Sequence, residues 1–143
     1  VSAAKPIRLM AIDVGGKRTG IAMGDSLTRM SMPIEVLHCA RGPALLQAIE
    51  KAIHQHGPDE LVMGLPLNMD GSEGPAVKQA REFAQQVQQR FGLPVHLQDE
   101  RLSSFEADQR MAQTGRTHGE KRELRDALAA AAILEDFLRS RNG

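Results

Sequence analysis

A mixed α/β fold, one sheet with helices on both faces, is the class this sequence predicts, on three observations. Two apolar runs near the start, Ile7–Val14 (IRLMAIDV) and Thr19–Met23, are separated by a glycine turn short enough for an antiparallel hairpin. Further along, apolar runs of strand length alternate with segments of helical period, the pattern of parallel crossovers. The chain has no Trp or Tyr and four Phe. Its core must therefore come from Ala, Leu, Ile and Val, which suits helices layered on a sheet. A length of 143 residues fits one domain over residues 1–143.

Each element has its own signals. Ser31–His38 (SMPIEVLH) reads as a third strand, and Pro33 suits an edge because it cannot donate to a ladder. Gly42-Pro43 opens a helix whose Leu45, Leu46, Ile49 and Ile53 recur at helical spacing up to a Gly57-Pro58 stop. Asp59–Leu65 is a short buried strand, and the loop behind it, PLNMDGSEGP, is rich in turn formers. Pro75–Phe91 is a second helix with Ala76, Ala80, Phe83, Ala84 and Val87 on its inner face. Pro94–Gln98 is the last strand, a short helix follows over 103–112, and a final helix spans roughly Glu120–Arg139.

Composition excludes several classes. Formal net charge is zero, so bulk electrostatics does not announce a nucleic-acid binder, although a local basic patch remains compatible. One cysteine, Cys39, excludes an internal disulfide and a Cys-based zinc site; it reads as a small core filler. No apolar stretch is long enough to span a membrane, and VSAAKPIR lacks a signal-peptide core, so a cytoplasmic protein is expected.

The chemistry gathers where strands end. Asp13 and the Asp99-Glu100 pair stand at the carboxyl ends of predicted strands, the edge of an α/β sheet where sites collect. In the final helix Asp126 falls on the side of Ala130, Ile133 and Phe137, whereas Glu135, Asp136 and Arg139 face away. An acid on that margin needs a partner. An arginine would make a structural ion pair; a metal shared with Asp13 and Glu100 would make a site. Clustered carboxylates suit Mg²⁺ or Mn²⁺, and one or two such ions can drive phosphodiester hydrolysis. Asp99 is the alternative ligand if the last strand runs one residue longer. The loops Pro66–Gly74 and Gly115–Arg122, without apolar anchors, are expected to be mobile. Arg116, His118, Lys121 and Arg122 would then clamp a nucleic-acid backbone.

Together IDVGGKRTGIAMGD, VMGLPLNMDGSEGP, QDERLSSFEA and RDALAAAAILEDFL resemble the YqgF family, also called RuvX-like, along essentially the whole chain and in order. Its members are described as Holliday-junction resolvases or pre-16S rRNA nucleases. The resemblance implies a ribonuclease H-like fold, with a five-stranded mixed sheet ordered 3-2-1-4-5, and a metal-dependent nuclease. Its acidic positions fall on Asp13, Glu100 and Asp126, the expected catalytic and metal-binding set. Arg18, Asn68 and Arg101 match motif positions that shape the site or contact phosphate, and Ser103-Ser104 leaves a hydroxyl where the family often has Ser-Thr. The usual single glycine is replaced here by Gly15-Gly16, with Lys17 and Arg18 adding positive charge. On this reading the two glycines keep side chains away from an approaching phosphate.

The expected function is processing of the 5′ end of precursor 16S rRNA, on structured RNA, by a monomer or weak homodimer. The alternatives are resolution of branched DNA, which calls for a two-fold dimer, and non-catalytic binding of nucleic acid or of the ribosomal or transcription machinery. An actin-like ATPase also opens on an acid, glycines and a hairpin, but needs a second lobe for which this chain has no room.

Overall fold

The computed structural model describes residues 5–101 and 118–140, with 118–123 as backbone only. The described elements are β1 (Arg8–Val14), β2 (Thr19–Asp25), β3 (Ser31–Leu37), α1 (Pro43–His56), β4 (Glu60–Leu65), α2 (Pro75–Phe91), β5 (Val95–Asp99) and α3 (His118–Ser140). They form a five-stranded sheet in the order β3-β2-β1-β4-β5. The first three strands are antiparallel, and β4 and β5 join parallel to β1. This is the mixed sheet that the sequence predicted, in the strand order that the family resemblance implied. Pro33 lies in edge strand β3, where its missing N–H costs least. Both Gly-Pro signals around α1 hold: Gly42 precedes Pro43, and Gly57 closes the helix in the left-handed region at φ 62°.

The two faces of the sheet differ in side-chain size, and that decides what packs on each. Strand residues alternate between faces. Met10, Ile12, Ile21, Leu61 and Met63 fill one side with α1 and α2, through Leu45, Ile49, Phe83 and Val87. Leu9, Ala11, Ala22 and Val62 line the other, where α3 lies with Ala130, Ile133, Leu134 and Phe137. Small residues there let one helix come very close. A side chain at Gly20 would collide with the Asp126 carbonyl in α3, so the glycine sets where that helix, and Asp126 with it, rests.

Several expectations need correction. On α2, Val77 rather than Ala76 is buried, and Ala76 is exposed. In α3 the buried surface is wider than one stripe, with Ala129, Ala131 and Ala132 also enclosed. Glu135 does not simply face away, because Ser31 donates a hydrogen bond to its carboxylate at 3.2 Å. α3 begins at His118, so His118–Arg122 is helical backbone where a loop was expected. Residues 103–112 and Gly115–Thr117 lie outside the described residues. Among the described residues, no helix is long and apolar enough to cross a membrane.

Candidate active site

Asp13 follows Leu9 and Ala11 at alternate positions of β1, so it shares their face, the α3 side, at the strand's last residue but one. Glu100 stands one residue beyond β5. Its carboxyl group hydrogen-bonds to that of Asp13. Asp126 lies one helical turn before Ala130 on α3, and all three acids line one cavity of about 390 Å³. The same cavity carries Lys17, Arg18 and Arg125, so its charges are mixed rather than purely acidic.

Burial is the main electrostatic fact. It raises Asp13 above the ordinary carboxylate range, against the lowering effect of the Glu100 hydrogen bond, and the charge of Asp126 raises it further. Glu100 is pushed up to about 8, first by burial and then by the charge and hydrogen bond of Asp13 and the charge of Asp99. Two adjacent carboxyls in low dielectric cannot both ionise at little cost, so they share a proton. Asp126 has a different partner: Arg18 Nε donates to its Oδ2 at 2.5 Å, with the two side chains 30% and 23% exposed. Arg18 is one of the two partners expected for Asp126.

The proton-sharing pair offers hard oxygen donors and fits a divalent cation. The third acid is held by Arg18, and no group of three or more His, Cys, Asp or Glu side chains among the described residues is placed to hold a metal ion. Asp99 ends β5, one residue beyond the predicted end, yet it turns to Arg101: backbone N–H and Nε donate to its carboxylate at 2.9 and 2.8 Å. That arginine holds Asp99 below the usual carboxylate range.

A pH dependence follows from Glu100. Its folded-state pKa, about 8 against an ordinary 4.5, means the fold binds this proton more tightly than the unfolded chain does. The stabilisation is full below the ordinary value and is lost as pH rises towards 8. Metal-free protein should lose on the order of 10 °C in Tm between pH 5 and pH 8.5. Adding Mg²⁺ at pH 8.5 should restore most of it. Calorimetry with and without EDTA measures both, and a flat metal-free profile would remove the strained pair.

The remaining candidates divide. Lys17 and Arg18 line the acid cavity. Asn68 and Arg101 do not appear on its described wall, and they organise the loop behind β4. Asn68 binds Ser72 through both backbone N–H and side-chain amide at 2.9 Å, Ser72 donates to Asp70, and Arg101 Nη1 donates to the Met69 carbonyl at 3.2 Å. This loop, read as lacking apolar anchors, is knitted by its own polar groups and tied to the end of β5. Ser103 and Arg116 lie outside the described residues, and His118, Lys121 and Arg122 are placed as backbone only in the first turns of α3.

Glycine at position 15 also has a local reason. Its N–H donates to the Arg18 carbonyl at 2.9 Å, and a Cβ would lie 2.5 Å from that oxygen. Gly15 is thus required by the turn, whereas a Cβ on Gly16 would meet nothing within 4 Å. Sequence reasoning missed Arg125, which lowers Asp13 electrostatically, and Gly64, whose lack of a side chain makes room for Glu100. The adjacency of Arg125 to Asp126 was the available signal for the first.

Comparison with known proteins identifies the family and the fold. The sequence matches the family described as "RuvX: Holliday junction resolvase" over residues 7–140. It is 39% identical over 136 residues to an Azotobacter vinelandii protein named "Putative pre-16S rRNA nuclease", covering 95% of this chain and 96% of that one. A Bordetella pertussis protein of the same name is 42% identical over 130 residues, covering 91% and 92%. In fold, the chain resembles Thermus thermophilus RuvC bound to a Holliday junction, with TM-score 0.56 and 16% identity over 96% of each chain. It also resembles the fowlpox virus resolvase in complex with junction DNA, with TM-score 0.60 and 12% identity over 96% of this chain and all of the other. The sheet order and these likenesses make the fold that of the ribonuclease H-like resolvases, and the chain belongs to the RuvX family.

Proposed function

We propose that this protein is a metal-dependent nuclease that hydrolyses phosphodiester bonds of structured RNA, acting on the 5′ end of precursor 16S rRNA in the cytoplasm as a monomer or weak homodimer. The observation that carries this reading is the Asp13–Glu100 pair, two half-buried carboxyls hydrogen-bonded to each other beside Asp126 in a cavity that also holds three cationic side chains. The names of the bacterial relatives favour precursor rRNA as the target. Asp13 and Glu100 are the residues that would hold one or two ions of Mg²⁺ or Mn²⁺, which when bound activate water and stabilise the leaving oxygen.

The cations then have distinct work. Lys17 and Arg125, both exposed at the cavity, attract the substrate's phosphates. Arg18 is shared: a phosphate arriving there competes with Asp126 for its guanidinium, since arginine forks suit phosphate as well as carboxylate. Release from Arg18 frees Asp126 to join the other two acids. Asp126→Asn should therefore lower cleavage strongly, yet cost only about 1 kcal/mol of stability or less, because the pair it breaks is partly exposed. Thermal melts check this; a loss of about 3–5 kcal/mol, independent of metal, would make Asp126 architectural.

The second reading, resolution of branched DNA, is favoured by the family description and the resolvase folds. One assay separates the two: precursor rRNA, four-way DNA junctions and linear duplexes, each with Mg²⁺, Mn²⁺ or EDTA. Metal-dependent cleavage of the rRNA is expected. Cleavage confined to junctions would transfer the assignment to the second reading, and binding without cleavage of any substrate would overturn both.

A further inference from the structure

On the other side of the Gly15-Gly16 turn from α3 lies a second cavity, of about 170 Å³. Its floor is apolar, formed by Met63 and Phe83, which are 2% and 3% exposed. Its wall on α2 is made by Ala76 and Ala80, one helical turn apart, where larger side chains would fill the space. Arg41 stands exposed at the rim and spends one N–H on a 3.4 Å bond to Gln79, leaving the other donors of its guanidinium for a ligand. The cavity shares Val14, Gly15, Gly16 and Glu100 with the cavity of the three acids.

We propose that this second cavity holds one unpaired pyrimidine base of the strand whose phosphate lies at Asp13 and Glu100, an inference that rests on the nuclease reading. The shared wall is two glycines, Val14 and one carboxylate, so groups in the two cavities can belong to one nucleotide, in which a single sugar joins base to phosphate. An apolar floor with an aromatic ring and a cationic rim suits a heteroaromatic base, which offers an apolar face and polar edges. It does not suit a second phosphate or a sugar. Size favours the smaller base: an apolar cavity of roughly 150 Å³ takes up one benzene ring, so one of about 170 Å³ matches a six-membered ring more closely than a purine. The nuclease would then require a single-stranded pyrimidine beside the bond it cuts.

Small ligands test this without cleavage. In Mg²⁺, the Met63 methyl signal is followed by NMR during titration with uridine 5′-monophosphate, adenosine 5′-monophosphate, ribose 5-phosphate and uridine. The uridine nucleotide should bind about tenfold tighter than ribose 5-phosphate, the contribution of one stacked base, and tighter than the adenosine nucleotide. Ala80→Leu should erase that advantage while leaving ribose 5-phosphate binding unchanged. Ala76→Leu, at the exposed rim, supplies the same obstruction if Ala80→Leu lowers Tm. Equal binding of uridine nucleotide and ribose 5-phosphate, preference for adenosine, or an advantage that survives both obstructions would overturn the pocket. Uridine alone distinguishes the two failures. If it shifts Met63 in the wild type but not in Ala80→Leu, while ribose 5-phosphate binds nowhere, the base pocket stands and the phosphate site of the nuclease reading falls.

Discussion

Asp13→Asn should lower the single-turnover cleavage rate by roughly 10²–10³-fold or more, and at the same time raise the Tm of the metal-free protein at pH 8. The two effects share one cause. Asp13 and Glu100 are half-buried side by side, and the charge and hydrogen bond of Asp13 make ionisation of Glu100 harder. Asparagine keeps the shape, donates an N–H to Glu100 and removes one of the opposed charges, so Glu100 can ionise at lower cost. What is lost is the second anionic oxygen donor, which only a cation or a developing positive charge requires. Mg²⁺ should therefore stabilise the wild type more than the variant, reversing their order in a melt at high metal concentration. A variant that cleaves at close to the wild-type rate, or that is less stable without metal, would remove Asp13 from the active set.

What the sequence revealed, and what it hid, follows from how local each signal is. The order of strands and helices along the chain, the Gly-Pro boundaries of α1 and the edge position of Pro33 depend on a few neighbouring residues, and the structure has them where the pattern put them, with strand ends shifted by one or two residues. Asp13 and Glu100 were legible as acids at strand ends because sheet topology brings such ends together. The Arg18–Asp126 bond was legible only as an alternative, since it joins residues 108 apart and depends on how closely α3 settles on Gly20. Helical period alone could not choose between Ala76 and Val77, neighbours on the margin of α2's apolar face. The buried one is Val77, which carries more apolar surface to hide. The ties within the loop behind β4 were hidden for a different reason: it has no apolar anchor, but Asn68, Asp70 and Ser72 bond to one another and Arg101 reaches across from β5. Polar self-satisfaction of that kind leaves no hydrophobic pattern to read.

Gly64 makes the sharpest separation of chemistry from architecture. It lies on β4 facing α3, and a Cβ there would overlap the Glu100 carboxylate and come within 3.0 Å of Ile133 Cδ1. Its φ is not among the positive ones, so alanine adopts this backbone without strain. Both obstructing groups are ends of side chains, which can move aside; overpacking of this kind costs about 1–3 kcal/mol, and the protein should still fold. The displaced Glu100, however, can no longer reach Asp13 in the same geometry. Misplacement of a reacting group by about 1 Å can cost 10²-fold, so Gly64→Ala should lower cleavage by about that factor while melting within a few degrees of the wild type. Glu100→Asp in the Gly64→Ala background supplies the decisive comparison. The shorter side chain vacates the volume that the new methyl needs, so the double variant should lose much less activity than the product of the two single losses. Additive losses would mean that the methyl acts through the fold of β4, and full activity in Gly64→Ala would mean that the position of the Glu100 carboxylate does not govern the reaction.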